Sequence, residues 1–553
     1  MYISEIKISN FKSFGENFSL KLDPKLNIVV GLNEAGKTSI LEAIHLACSG
    51  IFNGKIIKSE LSQNLFNREC INKYLESLKG ENPLPPPEIS IEIFFEDVDD
   101  EYYKGDYNSY KDSSYNGFIF KIFFNDSYVH LYNALIKSNE EIISLPIEYY
   151  DVSWTTFARK SFLPRDLKFK SSLIDSSQVK TASGCDVHFT KILRDSLSDE
   201  DKIEISQAHR KLVDDFRKNP KVKELNSKLE EQAKISKKDI KISVELQTKN
   251  AWENSLTTLL DNIPYSFVGM GEQSIVKTNL ALLSDKTKNA SIVLIEEPEN
   301  HLTFIKLNEL IETIRENNSE KQIIITTHSS FVANKLGLQS LKILSNKNIV
   351  MLSNLKQDTY EFFEKIAGYD TLRFILSERT ILVEGDSDEL IVQRAYMDNK
   401  HKLPIYDGID VMSVGLSFLR FLEIAEKLEK KVSVVTDNDG NVDALKNKYI
   451  NYVGDNKKPN INICYDDIVD PPYFELNDNE YFNFNTLETK IYKANNINIL
   501  NQIFGTHYED EKSLLRYMRN NKTDNALKIF KSSQKINYPD YILKSFKVFE
   551  DEE

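Results

Sequence analysis

An α/β chain built as two units is what these 553 residues predict, and three observations predict it. A glycine-rich loop, Gly31-Leu-Asn-Glu-Ala-Gly36-Lys37-Thr38, stands between an apolar strand pattern and a helical one. Downstream, SIVLIEE (291–297) and KQIIITTH (321–328) are apolar runs with a helical stretch between them, the alternation of a parallel sheet. Beyond about residue 378, ERTILVEG, GIDVMSVG and KKVSVVTDND alternate with helical patterns at 388–397 and 417–430, giving a second α/β unit.

Taken in order, residues 2–9 and 17–30 predict strands and Thr38 to Ala47 a helix. Residues 50–87 read as irregular and end in PLPPPE, a punctuation that no helix or strand interior tolerates. EISIEIFFED (88–97) and GFIFKIFFND (117–126) predict an antiparallel flank on a larger sheet. From 188 to 260 the chain is charged and helical, with apolar residues at helical spacing. Two readings stay open there, a solvated insertion and a dimer contact. The stretch 460–553 is polar and mostly helical, and no internal repeat occurs.

Composition excludes several classes of function. With 41% hydrophobic and 28% charged residues the chain suits a globular protein with sizeable cores. Its 70 Lys+Arg against 84 Asp+Glu, a formal charge of −14, argues against a general nucleic-acid coat. A local basic stripe remains compatible, and Lys427, Lys430, Lys431 and Lys528 are its candidates. Cys48, Cys70, Cys185 and Cys464 are widely spaced, without a CxxC pair or a histidine cluster, so reduced thiols in a cytoplasmic protein are expected. No apolar run approaches the roughly 20 residues of a membrane helix, and the N-terminus lacks a signal-peptide core.

The glycine loop fits Gly-x4-Gly-Lys-Ser/Thr in every defined position, with the strand before it and the helix after it that phosphate binding requires. Glycines let backbone N–H groups approach phosphates, Lys37 reaches the β- and γ-phosphates, and Thr38 suits Mg²⁺. Glu296, ending an apolar strand, could hold that Mg²⁺, and Glu297 could orient the attacking water. His328, at the next strand end, is suited to sensing the γ-phosphate. Together NFKSF (10–14), the glycine loop, VGMGEQ (268–273), LIEEPENHL and TTHSS resemble an ABC-type ATPase of the DNA-repair and SMC-like kind. The resemblance implies an ATP site of Asn33, Gly36, Lys37, Thr38, Ser39, Glu296 and His328. It also implies a signature segment around Gly269 and Gly271 that serves ATP on a second subunit, and hence at least a dimer. Gly269 stands where that signature usually has serine, and Glu296 where aspartate is usual, departures that bear on the hydrolysis rate.

A second acidic site follows. ILVEGDSDEL (381–390) runs an apolar strand into Glu384, Asp386, Asp388 and Glu389, and VSVVTDNDG (432–440) ends another in Asp437 and Asp439. An i, i+2 spacing at a strand end predicts that both carboxylates share a face. Such an oxygen-rich cluster suits Mg²⁺ or Mn²⁺. Asp386 and Glu389 read as supporting or surface groups.

The order hhhVEGxxD, a glycine after the next strand (Gly415), then hhhhxDxD resembles a Toprim domain. Joined to an SMC-like ATPase, it is similar to the OLD-family nucleases, whose relatives include the Gabija nuclease and retron-linked effectors. The resemblance implies a metal site of Glu384, Asp388, Asp437, Asp439 and Glu488, the last from NFNTLETKIY. Lys522, in NNKTDNALKIF, would then act near the scissile phosphate; from the residues alone, Glu488 and Lys522 read as ordinary helical surface groups. The implied domains are an ATPase in two parts (1–187 and 261–375), a helical insertion at 188–260, and a Toprim domain with a helical extension at 376–553. The implied function is an ATP-regulated, Mg²⁺- or Mn²⁺-dependent DNA endonuclease of anti-phage defence. It would work as a dimer or tetramer, with room for a separately encoded partner. The alternative is an ATP-dependent DNA clamp or repair protein whose Toprim-like domain does not cut. Strand passage would need a companion domain with a tyrosine nucleophile, and no such domain is recognisable.

Overall fold

The computed structural model describes residues 1–80, 82–98, 100–137, 142–175, 181–182, 185–186, 197–232, 259–283, 287, 289–300, 302–317, 321–329, 332, 340–345, 347–351, 355–365, 369–472, 474–477 and 480–550. The chain forms two units, Met1–Leu336 with Ser340–Ile349 and Gly337–Gln339 with Val350–Glu553.

In the first unit, parallel strands run in the order Leu341–Ser345, Leu26–Gly31, Gln322–Thr327, Ile292–Glu296, Ser171–Asp175. An antiparallel sheet adjoins them in the order Phe18–Lys21, Tyr2–Ser9, Ile89–Glu96, Asn116–Phe124, Tyr150–Thr156, the flank expected from the sequence. One core joins both sheets to the helix Lys37–Ser49. Ile40, Leu41 and Ile44 share it with Val29 and Leu294 from the parallel strands and with Ile91 and Phe120 from the antiparallel ones. Each such side chain, fully buried, contributes about 1.5–3 kcal/mol. Trp154 fixes the helix end by donating its indole N–H to the Ala47 carbonyl at 2.9 Å.

Two local expectations fail here for identifiable reasons. The predicted strand 17–30 is two strands in two sheets, broken at Pro24, which has no N–H to give a ladder. Asn27 bridges the break, accepting from the Asp23 N–H at 2.7 Å and donating to the Asp23 carbonyl at 2.9 Å. Within the irregular stretch 50–87 lies the helix Arg68–Ser77, started by Asn67, whose Oδ1 accepts from the N–H groups of Glu69 and Cys70.

Of the predicted insertion, the described residues form the helices Asp199–Lys218 and Pro220–Gln232, the first closed by a capping box between Ser198 and Asp201. Residues 188–196 and 233–258 lie outside the described residues. Leu212, Phe216 and Leu225 are exposed along these helices.

In the second unit four parallel strands lie in the order Ile409–Ser413, Arg379–Val383, Lys431–Val435, Ile461–Cys464. The last lies in the stretch 460–553, for which the sequence predicts mostly helix. It is a short edge strand, too brief for periodicity to reveal. The helix Asp386–Lys400 packs on the helix Lys522–Lys531 over one core that includes Ile391, Ala395, Ala526 and Ile529. The helix Gln357–Lys365 belongs to this unit as well, with the Lys356 N–H and the Thr359 hydroxyl donating to Glu423 at 2.6 and 2.7 Å. Two candidates for a basic stripe are spent internally. Lys430 is buried and donates to the Phe374 and Ser377 carbonyls, and Lys528 donates to the Phe504 carbonyl at 2.8 Å.

Candidate functional site

The phosphate loop follows the strand Leu26–Gly31 and leads into the helix Lys37–Ser49. Gly36 takes φ +108, and a Cβ there would sit 2.9 Å from the Phe14 ring, so both conformation and space demand glycine. Lys37 is buried and donates to the Gly31 and Leu32 carbonyls at 3.0 and 2.8 Å. Burial lowers its pKa, while the carboxylates of Glu297, Glu299 and Glu296 act in the opposite direction. The Thr38 hydroxyl donates to Glu296 Oε1, which ties the loop to the end of the strand Ile292–Glu296. Ser39 is buried and approaches the Ser13 hydroxyl at 3.4 Å, whereas Asn33 stands exposed on the loop.

Glu297 and His328 meet across neighbouring strand ends, with Glu297 Oε1 2.8 Å from His328 Nε2. The backbone of Glu297 sits at φ +41, sparsely populated for a residue with a side chain. Its other oxygen accepts from the Asn300 amide at 3.0 Å. Gly269 and Gly271 lie at the start of the helix Met270–Leu283, where Gln273 anchors the turn by donating to the Tyr265 and Val268 carbonyls, each at 2.8 Å. Sequence reasoning missed Glu299. Its Oε1 accepts from the Thr327 hydroxyl at 2.6 Å and from the N–H groups of His328 and Ser329 at 2.8 and 3.1 Å. Its place in EEPE was the available signal, and two acids already had roles there.

In the second unit Glu384 directly follows the strand Arg379–Val383, and its Oε1 accepts from the Thr436 hydroxyl at 2.6 Å. Asp388 lies in the first turn of the helix Asp386–Lys400 and accepts from the Gly385 N–H at 3.1 Å, a helix-capping role in its own right. Asp437 follows the strand Lys431–Val435 and accepts from the Leu487 N–H at 3.0 Å, at the start of the helix Leu487–Ala494. Glu488, on that helix, forms an ion pair with Lys522 at 3.0 Å.

These groups feel one another. Burial, then Glu384 and Glu488, push Asp388 up to about 7. Burial, then Asp388 and Glu384, raise Asp437 well above the carboxylate range. Burial works against the charge on Lys522, but Glu488, Asp437 and Asp388 together raise its pKa. Glu384, Asp388, Asp437, Glu488 and Lys522 are therefore brought together, the last two from outside the strand ends that announce the site.

Asp439 stands differently. Like Asp437 it lies beyond the strand, and its backbone takes φ +47 while its Oδ1 accepts from the Asn483 amide at 3.3 Å. Among the described residues no three acids stand close enough to form a ready metal cage. Carboxylates with mutually raised pKa values repel one another, and a divalent cation relieves that repulsion, so this hard-oxygen set fits Mg²⁺ or Mn²⁺.

A polar shell holds the floor of the site. Asn438, buried, donates to the carbonyls of Asp466 and Ile468 at 2.6 and 3.1 Å. Lys490, also buried, bridges Asp466 at 2.6 Å and Asp470 at 2.8 Å. Sequence reasoning missed both: Asn438 is the neutral residue between Asp437 and Asp439, and Lys490 is a lone cation on a helix.

Comparison with known proteins matches residues 1–333 to the AAA ATPase domain and residues 375–439 to the TOPRIM domain of proteins like the overcoming lysogenization defect protein. Among curated proteins, the DNA replication and repair protein RecF of Alkaliphilus oremlandii is 35% identical over 75 residues, 14% of this chain and 19% of that one. RecF of Halothermothrix orenii is 37% identical over 93 residues, 17% of this chain and 23% of that one. The chromosome partition protein Smc of a Synechococcus is 39% identical over 67 residues, 12% of this chain and 6% of that one. The chain thus spans less than a quarter of these relatives' length. Among solved structures, an Smc head bound to the C-terminal winged-helix domain of ScpA aligns at TM-score 0.32 and 13% identity, covering 64% of this chain and 99% of that one. No helix among the described residues is long and apolar enough to cross a membrane.

Proposed function

We propose, on the premise that the chain belongs to the AAA ATPase domain family and carries an OLD-like TOPRIM domain, that it is an ATP-regulated, divalent-metal-dependent DNA endonuclease of anti-phage defence. The observation that carries this reading is the coupled set Glu384, Asp388, Asp437 and Glu488 with Lys522 beside it. Those four carboxylates would hold Mg²⁺ or Mn²⁺, with Asp439 at the margin. A bound divalent cation supplies charge neutralisation at the scissile phosphate. Lys522 adds a positive charge where negative charge develops in phosphodiester hydrolysis, and its ion pair with Glu488 aims it. Thr436 and the Leu487 N–H orient Glu384 and Asp437.

ATP binds at Lys37 and Thr38, with Mg²⁺ near Glu296 and with Glu297 and His328 at the hydrolysed phosphate. ATP acts as a gate on cutting at the second site. DNA is the substrate, a homo-oligomer forms through the exposed Leu212, Phe216 and Leu225, and the compartment is the cytoplasm. The alternative reading is an ATP-dependent DNA clamp or repair protein whose TOPRIM domain does not cut.

Cleavage of supercoiled plasmid with Mg²⁺ or Mn²⁺, with and without ATP, decides between them. Nicking or linearisation is expected in wild type and absent in Glu384→Ala, while Lys37→Ala reveals the sign of the ATP effect. Intact plasmid and linear DNA with either metal would leave the clamp.

A further inference from the structure

Glu299 has no part in the phosphate loop, yet one of its oxygens gathers three hydrogen-bond donors. One oxygen, Oε1, accepts three donors: the Thr327 hydroxyl at 2.6 Å, the His328 N–H at 2.8 Å and the Ser329 N–H at 3.1 Å. The other, Oε2, is buried without a hydrogen-bond partner among the described residues. A buried carboxylate oxygen left unpaired is unfavourable, so a side chain kept only as a structural staple gains nothing from the charge. The charge itself therefore has a use. It attracts the two backbone N–H groups of His328 and Ser329 more strongly than an amide would.

The consequence passes through His328. Its backbone is fixed by Glu299 and its ring nitrogen stands 2.8 Å from Glu297 Oε1. The loop that bears Glu297 also bears Glu299, so one loop grips the next strand end twice, once by backbone and once by side chain. We infer that Glu299 is a positioning residue for ATP hydrolysis, holding His328 so that its imidazole sets Glu297 against the attacking water. The inference rests on the reading of Glu297 as the base. In that step Glu297 takes a proton from water and the water oxygen bonds to the γ-phosphorus. The bond from that phosphorus to the bridging oxygen breaks, and ADP leaves with the electron pair.

The test is steady-state ATP hydrolysis with separate titration of a fluorescent ATP analogue, using full-length wild type, Glu299→Gln, Glu299→Ala, Thr327→Val and His328→Ala. Glu299→Ala is expected to lower kcat about 10–100-fold, the range for an outer group that orients a functional one. Nucleotide affinity should stay within about threefold. Glu299→Gln, which keeps an acceptor for the same donors, should recover part of the loss, and Thr327→Val should lose less than Glu299→Ala. Because Glu299 acts through His328, the double variant Glu299→Ala/His328→Ala should hydrolyse ATP no more slowly than His328→Ala alone.

Additive losses in the double variant, or unchanged kcat in Glu299→Ala, overturn the inference while wild-type turnover leaves the base assignment standing. A wild type that binds the analogue but never hydrolyses ATP sinks both, and the wild-type lane alone reveals it. If Glu299→Ala does not fold, Glu299→Gln and Thr327→Val, each paired with His328→Ala, carry the same comparison.

Discussion

At Gly36 a single missing methyl group decides whether a phosphate can be cradled. Alanine there would strain φ +108 and press its Cβ on Phe14 and Ser13, at 2.9 and 3.2 Å. Gly36→Ala is expected to lose nucleotide binding and about 1–3 kcal/mol of stability, read by analogue titration and thermal melting. Full binding with an unchanged melting temperature would show that the loop relaxes around it. Asp470 offers a test by pH. Burial disfavours its charge, but Lys490 and Lys493 outweigh burial, so its pKa lies below 3.8. A carboxylate with a depressed pKa contributes stability that is complete above the unfolded value and lost as pH falls through the folded one. Asp470→Asn should therefore melt below wild type at neutral pH, with the gap closing as pH drops past 3.8. A gap that stays constant down to strong acid rejects the pairing.

Among the elements, the helix Lys522–Lys531 depends on a residue far away in sequence. Arg394 is buried on the helix Asp386–Lys400, and its guanidinium donates to the Ile529 and Phe530 carbonyls at 3.0 and 2.8 Å. It thus closes the C-terminal end of the helix whose first residue is Lys522. Arg394→Met should cost about 2–4 kcal/mol, because buried carbonyls and Asp398 lose their partner. Urea unfolding of the second unit measures this, and a loss under about 0.5 kcal/mol would mean that water replaces the arginine. Periodicity found the long buried strands and the helix after the phosphate loop. It missed the helix Arg68–Ser77, short and set in a Pro-bounded stretch, and the edge strand Ile461–Cys464.

For the whole molecule, two units with separate cores predict two unfolding transitions with separate ligand responses. ATP with Mg²⁺ at 100 times its dissociation constant should stabilise the first unit by about 2.7 kcal/mol, and Mn²⁺ should move the second. Lys37→Ala should abolish only the ATP shift and Glu384→Ala only the Mn²⁺ shift in calorimetry. A single transition moved by both ligands would mean that the units unfold as one.

The sequence by itself determined the phosphate loop, the parallel strands and the acids that end them. Each of these is a local pattern, fixed by backbone conformation or by the burial of a short run. Only the tertiary structure decided which acids work together. Asp437 accepts from the Leu487 N–H and Asp439 from the Asn483 amide, partners that only folding brings near. Glu488 and Lys522, unremarkable on their own helices, join Glu384 and Asp388 because packing of those helices closes more than a hundred residues of chain. Glu299 and Arg394 owe their roles to backbone groups brought near by folding, which no pattern of side chains along the sequence records.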